Sequence, residues 1–175
     1  MRAFLLRSFV LAGLVGAPLV AGCTLRRSAG PPPSPYCRSG FALEGVYHPE
    51  RLDVKSGCRV ASGVVERVKF ERFDGDVHVD LRPDDPDRGL LSSGNDALGG
   101  DLVVEIIPQD RGVVAVPDVG AHVAVVGPWV NDTTHGWREI HPAWFVSAGR
   151  IVPASPEELA RVRALLRGSA SDRDS

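Results

Sequence analysis

Two short stretches hold most of the side chains that could do chemistry. The first is Asp74-Gly75-Asp76-Val77-His78-Val79-Asp80. The second runs from Gly127 through Trp129 and Asp132 to His135-Gly136-Trp137-Arg138-Glu139-Ile140-His141-Pro142. Alternate residues of an extended chain share a face, so Asp76, His78 and Asp80 fall on one side of their strand. Glu139 and His141 share a side by the same rule. Imidazoles and carboxylates converging from two strands form a donor set for a divalent ion such as zinc, and an open position on it would activate water. The expected metal or ligand set is His78, His135, Glu139 and His141, with Asp76 in support. The spacing is not His-Glu-x-x-His and meets no standard zinc pattern. The simpler account is structural: Asp74 and Asp76 shape a turn, His135 and His141 brace a corner, and Glu139 orients an imidazole.

Three tryptophans, Trp129, Trp137 and Trp144, fall close together in the second stretch. They suit a platform that stacks a sugar or a base, although the burial tendency of tryptophan favours a place in the core. His48 and His122 lack neighbouring chemistry. No serine stands in a nucleophile elbow, and no glycine loop suited to cradling phosphate occurs.

The elements that must position these groups read mostly as β. In residues 60–70, Val60, Val64, Val68 and Phe70 share one parity and Arg67 and Lys69 the other, with Glu66 breaking the alternation and Gly63 permitting a bulge. Asp74-Gly75 signals a hairpin. The returning strand carries Val77, Val79 and Leu81 on one face and His78, Asp80 and Arg82 on the other. Residues 83–100, rich in Pro, Asp, Gly and Ser, read as a long surface loop. Residues 102–107 are a strand stopped by Pro108, residues 109–120 are turn-rich, and residues 122–130 alternate again. Residues 140–152 give a last strand, interrupted around Pro142. Ser155-Pro156-Glu157-Glu158 is a helix start with a capping box, and Leu159, Val162, Leu165 and Leu166 form the apolar stripe of a short amphipathic helix ending near Gly168. Five strands and one such helix predict a mainly β fold, a small five-stranded OB-like barrel, with a small β-sandwich as the alternative. OB-folds usually carry a helix between their third and fourth strands, and residues 109–120 are too short and loop-like to supply it.

The amino-terminal residues bear on location. Arg2 and Arg7 precede an apolar run, and Val20-Ala21-Gly22-Cys23 closes it. The run is too short to span a bilayer and has the order of a signal peptide. A cysteine directly after Ala-Gly resembles the lipobox of bacterial lipoproteins, which implies that Cys23 is lipid-modified and becomes the new amino terminus. An ordinary secretory signal cut near Ala17 or Ala21 is the alternative. The expected division is a signal peptide over 1–22, a lipidated Cys23 with a Pro-rich tether over 23–36, a barrel over 37–152, a helix over 153–168 and a polar tail over 169–175. The chain carries 20 basic and 22 acidic side chains, and losing Arg2 and Arg7 with residues 1–22 would deepen the acidic excess. That balance argues against a nucleic-acid binder working by bulk electrostatics, and against adsorption to anionic lipid by charge. Attachment to the exported side of a cell-envelope membrane would come from acyl chains. With Cys23 committed to lipid, Cys37 and Cys58 remain as a pair in an oxidising compartment, where a bridge closing their loop is worth about 3 kcal/mol by chain entropy.

Together, the Asp-Gly-Asp-x-His turn at Asp74 to His78 and the His-Gly-Trp-x-Glu-Ile-His-Pro segment at His135 to Pro142 resemble a group of uncharacterised exported bacterial domains with an OB-like barrel. The resemblance covers roughly residues 58–147 of the folded part. It implies a fold and carries no known reaction. The Asp-Gly-Asp turn alone is also similar to staphylococcal-type nucleases, whose OB-like barrel places acids around calcium, but Arg82, Arg88 and Arg111 lie outside any matching motif. Three functions remain open: an envelope-anchored module binding a ligand or protein, a metal-dependent hydrolase acting on phosphodiesters, and a purely structural lipoprotein.

Overall fold

The computed structural model describes residues 34–171. Cys23, the proposed signal and most of the tether lie outside those residues, as does the end of the polar tail. Among the described residues no helix is long and apolar enough to cross a membrane.

Six strands form one sheet: β1 (Leu52–Phe70), β2 (Val77–Pro83), β3 (Leu102–Ile106), β4 (His122–Asp132), β5 (Arg138–Ile140) and β6 (Phe145–Val146), followed by a helix, α1 (Pro156–Ser171). Pairing runs β1–β2–β3–β5–β4, and β1 also pairs with β4, so five strands close a ring while β6 hangs on β4. The pairs are antiparallel except β3–β5, which is parallel.

β1 closes the ring because it is long enough to serve two partners. It begins at Leu52, well before the expected residue 60, and pairs with β4 along its first part and with β2 along its second. At Gly63 both partners meet it, opposite Pro83 and Val123. A Cβ at Gly63 would lie 2.2 Å from the Arg82 carbonyl oxygen, so only glycine allows this approach. The expected parity of β1 is corrected here. Ala61, Gly63 and Val65 are buried, whereas Val60 and Val64 are only half-buried. A register shift between Val65 and Arg67 leaves Glu66 as the extra residue of a bulge, which returns Val68 to the core side. The alternation was real, but the bulge reversed its sense at Glu66.

The apolar core takes one face of the ring strands: Val65, Val77, Val79, Leu81, Leu102, Val104, Ile106, Val123, Val125 and Ile140. A smaller cluster of Leu43, Val46, Leu52, Ile107 and Val130 packs the amino-terminal segment against the sheet. Cys37 and Cys58 form a disulfide with Cα atoms 5.8 Å apart, which ties that segment to β1.

Three other expectations are refined. Residues 83–100 contain two 3-10 turns, Asp85–Leu90 and Ser93–Leu98, and Leu90 and Asn95 within them are buried. The last strand is split into β5 and β6 around Pro142, with an isolated bridge between Val116 and Arg150 further on. α1 starts where the capping box placed it: Glu158 N–H donates to Ser155 Oγ at 3.2 Å and Ser155 N–H to Glu158 Oε2 at 2.7 Å. It runs to Ser171, and of its apolar stripe Val162 is buried while Leu159, Leu165 and Leu166 are half-buried.

Candidate functional site

Both faces of β2 are covered: Val77 to Leu81 are all buried. The apolar face belongs to the core. The opposite face of β2, β3 and β5 carries a layer of ionisable side chains. Register makes the layer: His78 stands opposite Glu105, Asp80 opposite Val103, and Val103 in turn opposite Glu139. Period two then adds Asp76 and His141 to the same face.

Within this layer the imidazoles are enclosed by carboxylates. His78 donates from Nδ1 to Glu105 Oε1 and from Nε2 to Asp80 Oδ1, each at 2.7 Å. His141 donates from Nδ1 to Glu139 Oε1 at 3.0 Å, and its Nε2 lies 3.5 Å from Asp76 Oδ2. Glu139 Oε2 accepts the Trp137 indole N–H at 2.9 Å. Arg67 reaches Asp80 from the rim.

Burial works against charge on His78, yet the hydrogen bonds and charges of Glu105 and Asp80 outweigh it and raise its pKa to about 9. His141 reaches about 9 for the same reason, with Glu139 as the main opposing influence and Asp76 and Glu105 behind it. Both rings are imidazolium at neutral pH, which is why both nitrogens of His78 can donate. Burial pushes the Asp76 carboxyl well above its ordinary range, and His141 only partly offsets this. Burial also raises Glu105, against the pull of His78. Four carboxylates against two imidazoliums and the Arg67 guanidinium leave an acidic excess in a buried place, so raised carboxyl values are the expected response.

A second unit covers the edge of this layer. Asp132, at the end of β4, accepts the N–H groups of Thr134 at 2.7 Å and His135 at 3.0 Å, and the His135 ring Nδ1 at 2.8 Å. Burial would raise the Asp132 carboxyl, but the His135 bonds and the Arg51 charge hold it below its ordinary value. His135 stacks on Trp137 with centroids 4.4 Å apart and planes within 6°. Behind them, Asn95 of the second 3-10 turn donates to Asp101 O and Arg138 O and accepts the Arg138 N–H. Gly94, in the same 3-10 turn, approaches the segment before β5 so closely that a Cβ there would lie 1.9 Å from Gly136 O.

A cleft of about 330 Å³ opens over these groups, with His78, Glu105 and Glu139 in its floor and Trp137, His135 and Phe73 in its walls. No family model, curated protein or solved structure matches the chain. The site is therefore read from its own geometry.

Of the sequence-derived set, Asp76, His78, Glu139 and His141 share one layer. His135 stands apart, paired with Asp132 and stacked on Trp137. Among the described residues no three His, Cys, Asp or Glu side chains are arranged to hold a metal ion. Within the proposed set only His141 pairs with other members, Glu139 and Asp76, whereas His78 is taken by Glu105 and Asp80 and His135 by Asp132. Of the tryptophans, Trp144 is buried, Trp129 packs against the core while its N–H donates to Leu90 O at 3.0 Å, and Trp137 alone lines the cleft.

Four contributors escaped the sequence reading: Glu105, Asp132, Arg51 and Arg67. Glu105 had a signal. A lone carboxylate within Leu102-Val103-Val104-Glu105-Ile106-Ile107 is an expensive residue to bury, and it demands a partner. Asp132 had a local signal too, since its bonds go to Thr134 and His135 just after it, whereas Arg51 and Arg67 act through contacts distant in sequence.

Proposed function

We propose that this chain is a lipid-anchored module on the exported side of a cell envelope, built on an OB-like barrel, whose cleft captures a ligand. The barrel reading is supported by five strands closing in a ring with β5 inserted between β3 and β4, as a five-stranded Greek-key barrel requires. The location rests on the lipobox-like Val20-Ala21-Gly22-Cys23 and fits a disulfide between the two remaining cysteines. The binding role rests on one observation: the cleft has walls made by Phe73 and Trp137 from two different hairpins and a floor of braced, buried polar groups. Such a concave, pre-formed, partly aromatic site with few convergent polar groups is the usual form of a ligand pocket.

A metal-dependent phosphodiesterase using His78, His135, Glu139, His141 and Asp76 is the weaker reading. A cation would have to displace the protons that join His78 and His141 to Glu105, Asp80 and Glu139, and among the described residues no three such side chains converge on one point.

Mass spectrometry and elemental analysis of the full-length protein extracted from membranes test both readings. The expected product begins at an acylated Cys23, carries no near-stoichiometric metal, and hydrolyses no phosphodiester. A cytosolic chain with its leader intact and Cys37 and Cys58 reduced would sink the envelope reading. One bound zinc with phosphodiester turnover lost in His141→Ala would replace the binding module with the hydrolase.

A further inference from the structure

The cleft also constrains the chemistry of what it takes. Its charges are largely internal pairs: Arg51 faces Asp132 at 3.6 Å, Lys69 faces Glu71 at 2.6 Å and His78 faces Glu105 at 2.7 Å, and all six side chains line it. A ligand of net charge would have to take one member of such a pair and leave the other uncompensated, except for a cation meeting Asp74, which lines the cleft outside these pairs. Neutral hydroxyl groups do not, because each can accept from a spare N–H and donate to a spare lone pair. Glu105 supplies an acceptor of this kind: its Oε2 is buried in the floor with no hydrogen-bond partner among the described residues. The floor is also rigid where it meets the wall, since Trp137 is held by its N–H bond to Glu139 and by stacking with the His135 ring. Phe73, also in the lining, is 64% exposed, so aromatic surface stands ready without needing to be uncovered. A ring with one apolar face and a hydroxyl rim matches a fixed aromatic plate beside paired polar groups. The cleft's volume of about 330 Å³ lies at the small end of ligand pockets, enough for one such ring with its substituents.

We propose that the cleft binds a neutral saccharide unit, stacked against Trp137, with a hydroxyl donating to Glu105 Oε2. This rests on the reading of the cleft as a ligand site. The sugar is either free or a unit of a glycan, and the two sources share this chemistry.

Calorimetry and tryptophan fluorescence on the full chain, purified in a detergent without a sugar head group, test it. The probes are glucose, N-acetylglucosamine and its linear trimer, with tetramethylammonium and inorganic phosphate as charged comparators. The expected result is saturable sugar binding that weakens about tenfold or more in Trp137→Ala and recovers in part in Trp137→Phe. Phe73→Ala weakens it in the same direction, and because Phe73 is exposed its loss leaves the melting temperature in place. Preference for the trimer identifies a glycan and equal affinity a free sugar; both outcomes support the proposal. Saturable binding of phosphate or tetramethylammonium without sugar binding overturns the saccharide assignment while leaving the cleft a ligand site. Binding of no probe, or sugar binding indifferent to both Trp137→Ala and Phe73→Ala, overturns the assignment and removes the cleft's support for a binding role.

Discussion

The two faces of β2, β3 and β5 are built from the same strands, in the same register, and are held by opposite means. One face buries Val77, Val79, Leu81, Leu102, Val104, Ile106 and Ile140 in a continuous apolar core. The other buries Asp76, His78, Asp80, Glu105, Glu139 and His141. The apolar face gains from removal of surface from water and tolerates small changes of shape. The polar face gains little net from its pairs and depends on each partner being present, because a buried charge left alone is costly. An apolar core needs only volume. A buried ionic layer needs a particular partner at each position, which is the condition for holding a wall residue such as Trp137 in one orientation.

The largest break in this contrast comes from Glu139→Ala. It strands the His141 imidazolium and the Trp137 N–H together, and we expect a loss of about 3–5 kcal/mol in urea unfolding. A loss under about 1 kcal/mol would mean that the layer is solvated and not a buried network. Leu81→Ala on the apolar face should cost a comparable about 2–5 kcal/mol, but with no dependence on pH.

Acidity separates the faces next. His78 and His141 have folded pKa values of about 9 against 6.5 for an ordinary histidine. The folded chain therefore binds more protons than the unfolded one between these values, and stability falls as pH rises there. The histidine contribution is complete below pH 6.5 and is lost as pH rises through about 9. Asp76 and Glu105, also raised, act in the same sense at lower pH, whereas lowered Asp132 and Glu158 oppose them as acid is added. Melting curves from pH 6 to 10 should show a decline that Leu81→Ala preserves and His78→Phe reduces. A flat profile would show that the imidazoles are neutral.

The smallest expected effect sharpens the boundary of the layer. Arg67 is half-exposed at the rim, so Arg67→Ala should cost under about 1 kcal/mol despite its contact with the buried Asp80. A larger cost, measured by the same urea titration, would place the rim inside the network.

How much of this was legible follows the same division. Alternation around Val77, Val79 and Leu81 marked the apolar face correctly, and it placed Asp76, His78 and Asp80 together on the other. Local chemistry also sufficed for the Ser155–Glu158 capping box. What failed was whatever depended on a distant partner. Which groups meet the polar face of β2 did not show, since Glu105 comes from β3 and Trp137 from the hairpin after β4, far along the chain. The Glu66 bulge reversed the parity of β1 because a single inserted residue exchanges the faces of a strand. Asn95 hid in a segment whose composition reads as loop, although its amide pins four backbone groups.

The sulfur bridge from Cys37 to Cys58 has a mechanical consequence. Tension applied ahead of residue 34 reaches Cys37 first and crosses directly into β1, sparing the Leu43 and Val46 packing and the short 3-10 turn Pro49–Arg51. β1 is the strand gripped along one edge by β4 and, past Gly63, by β2, so a pull would have to shear a long hydrogen-bonded ladder before the cleft could distort. Under the proposed anchoring, a pull on the amino terminus would leave the cleft in shape.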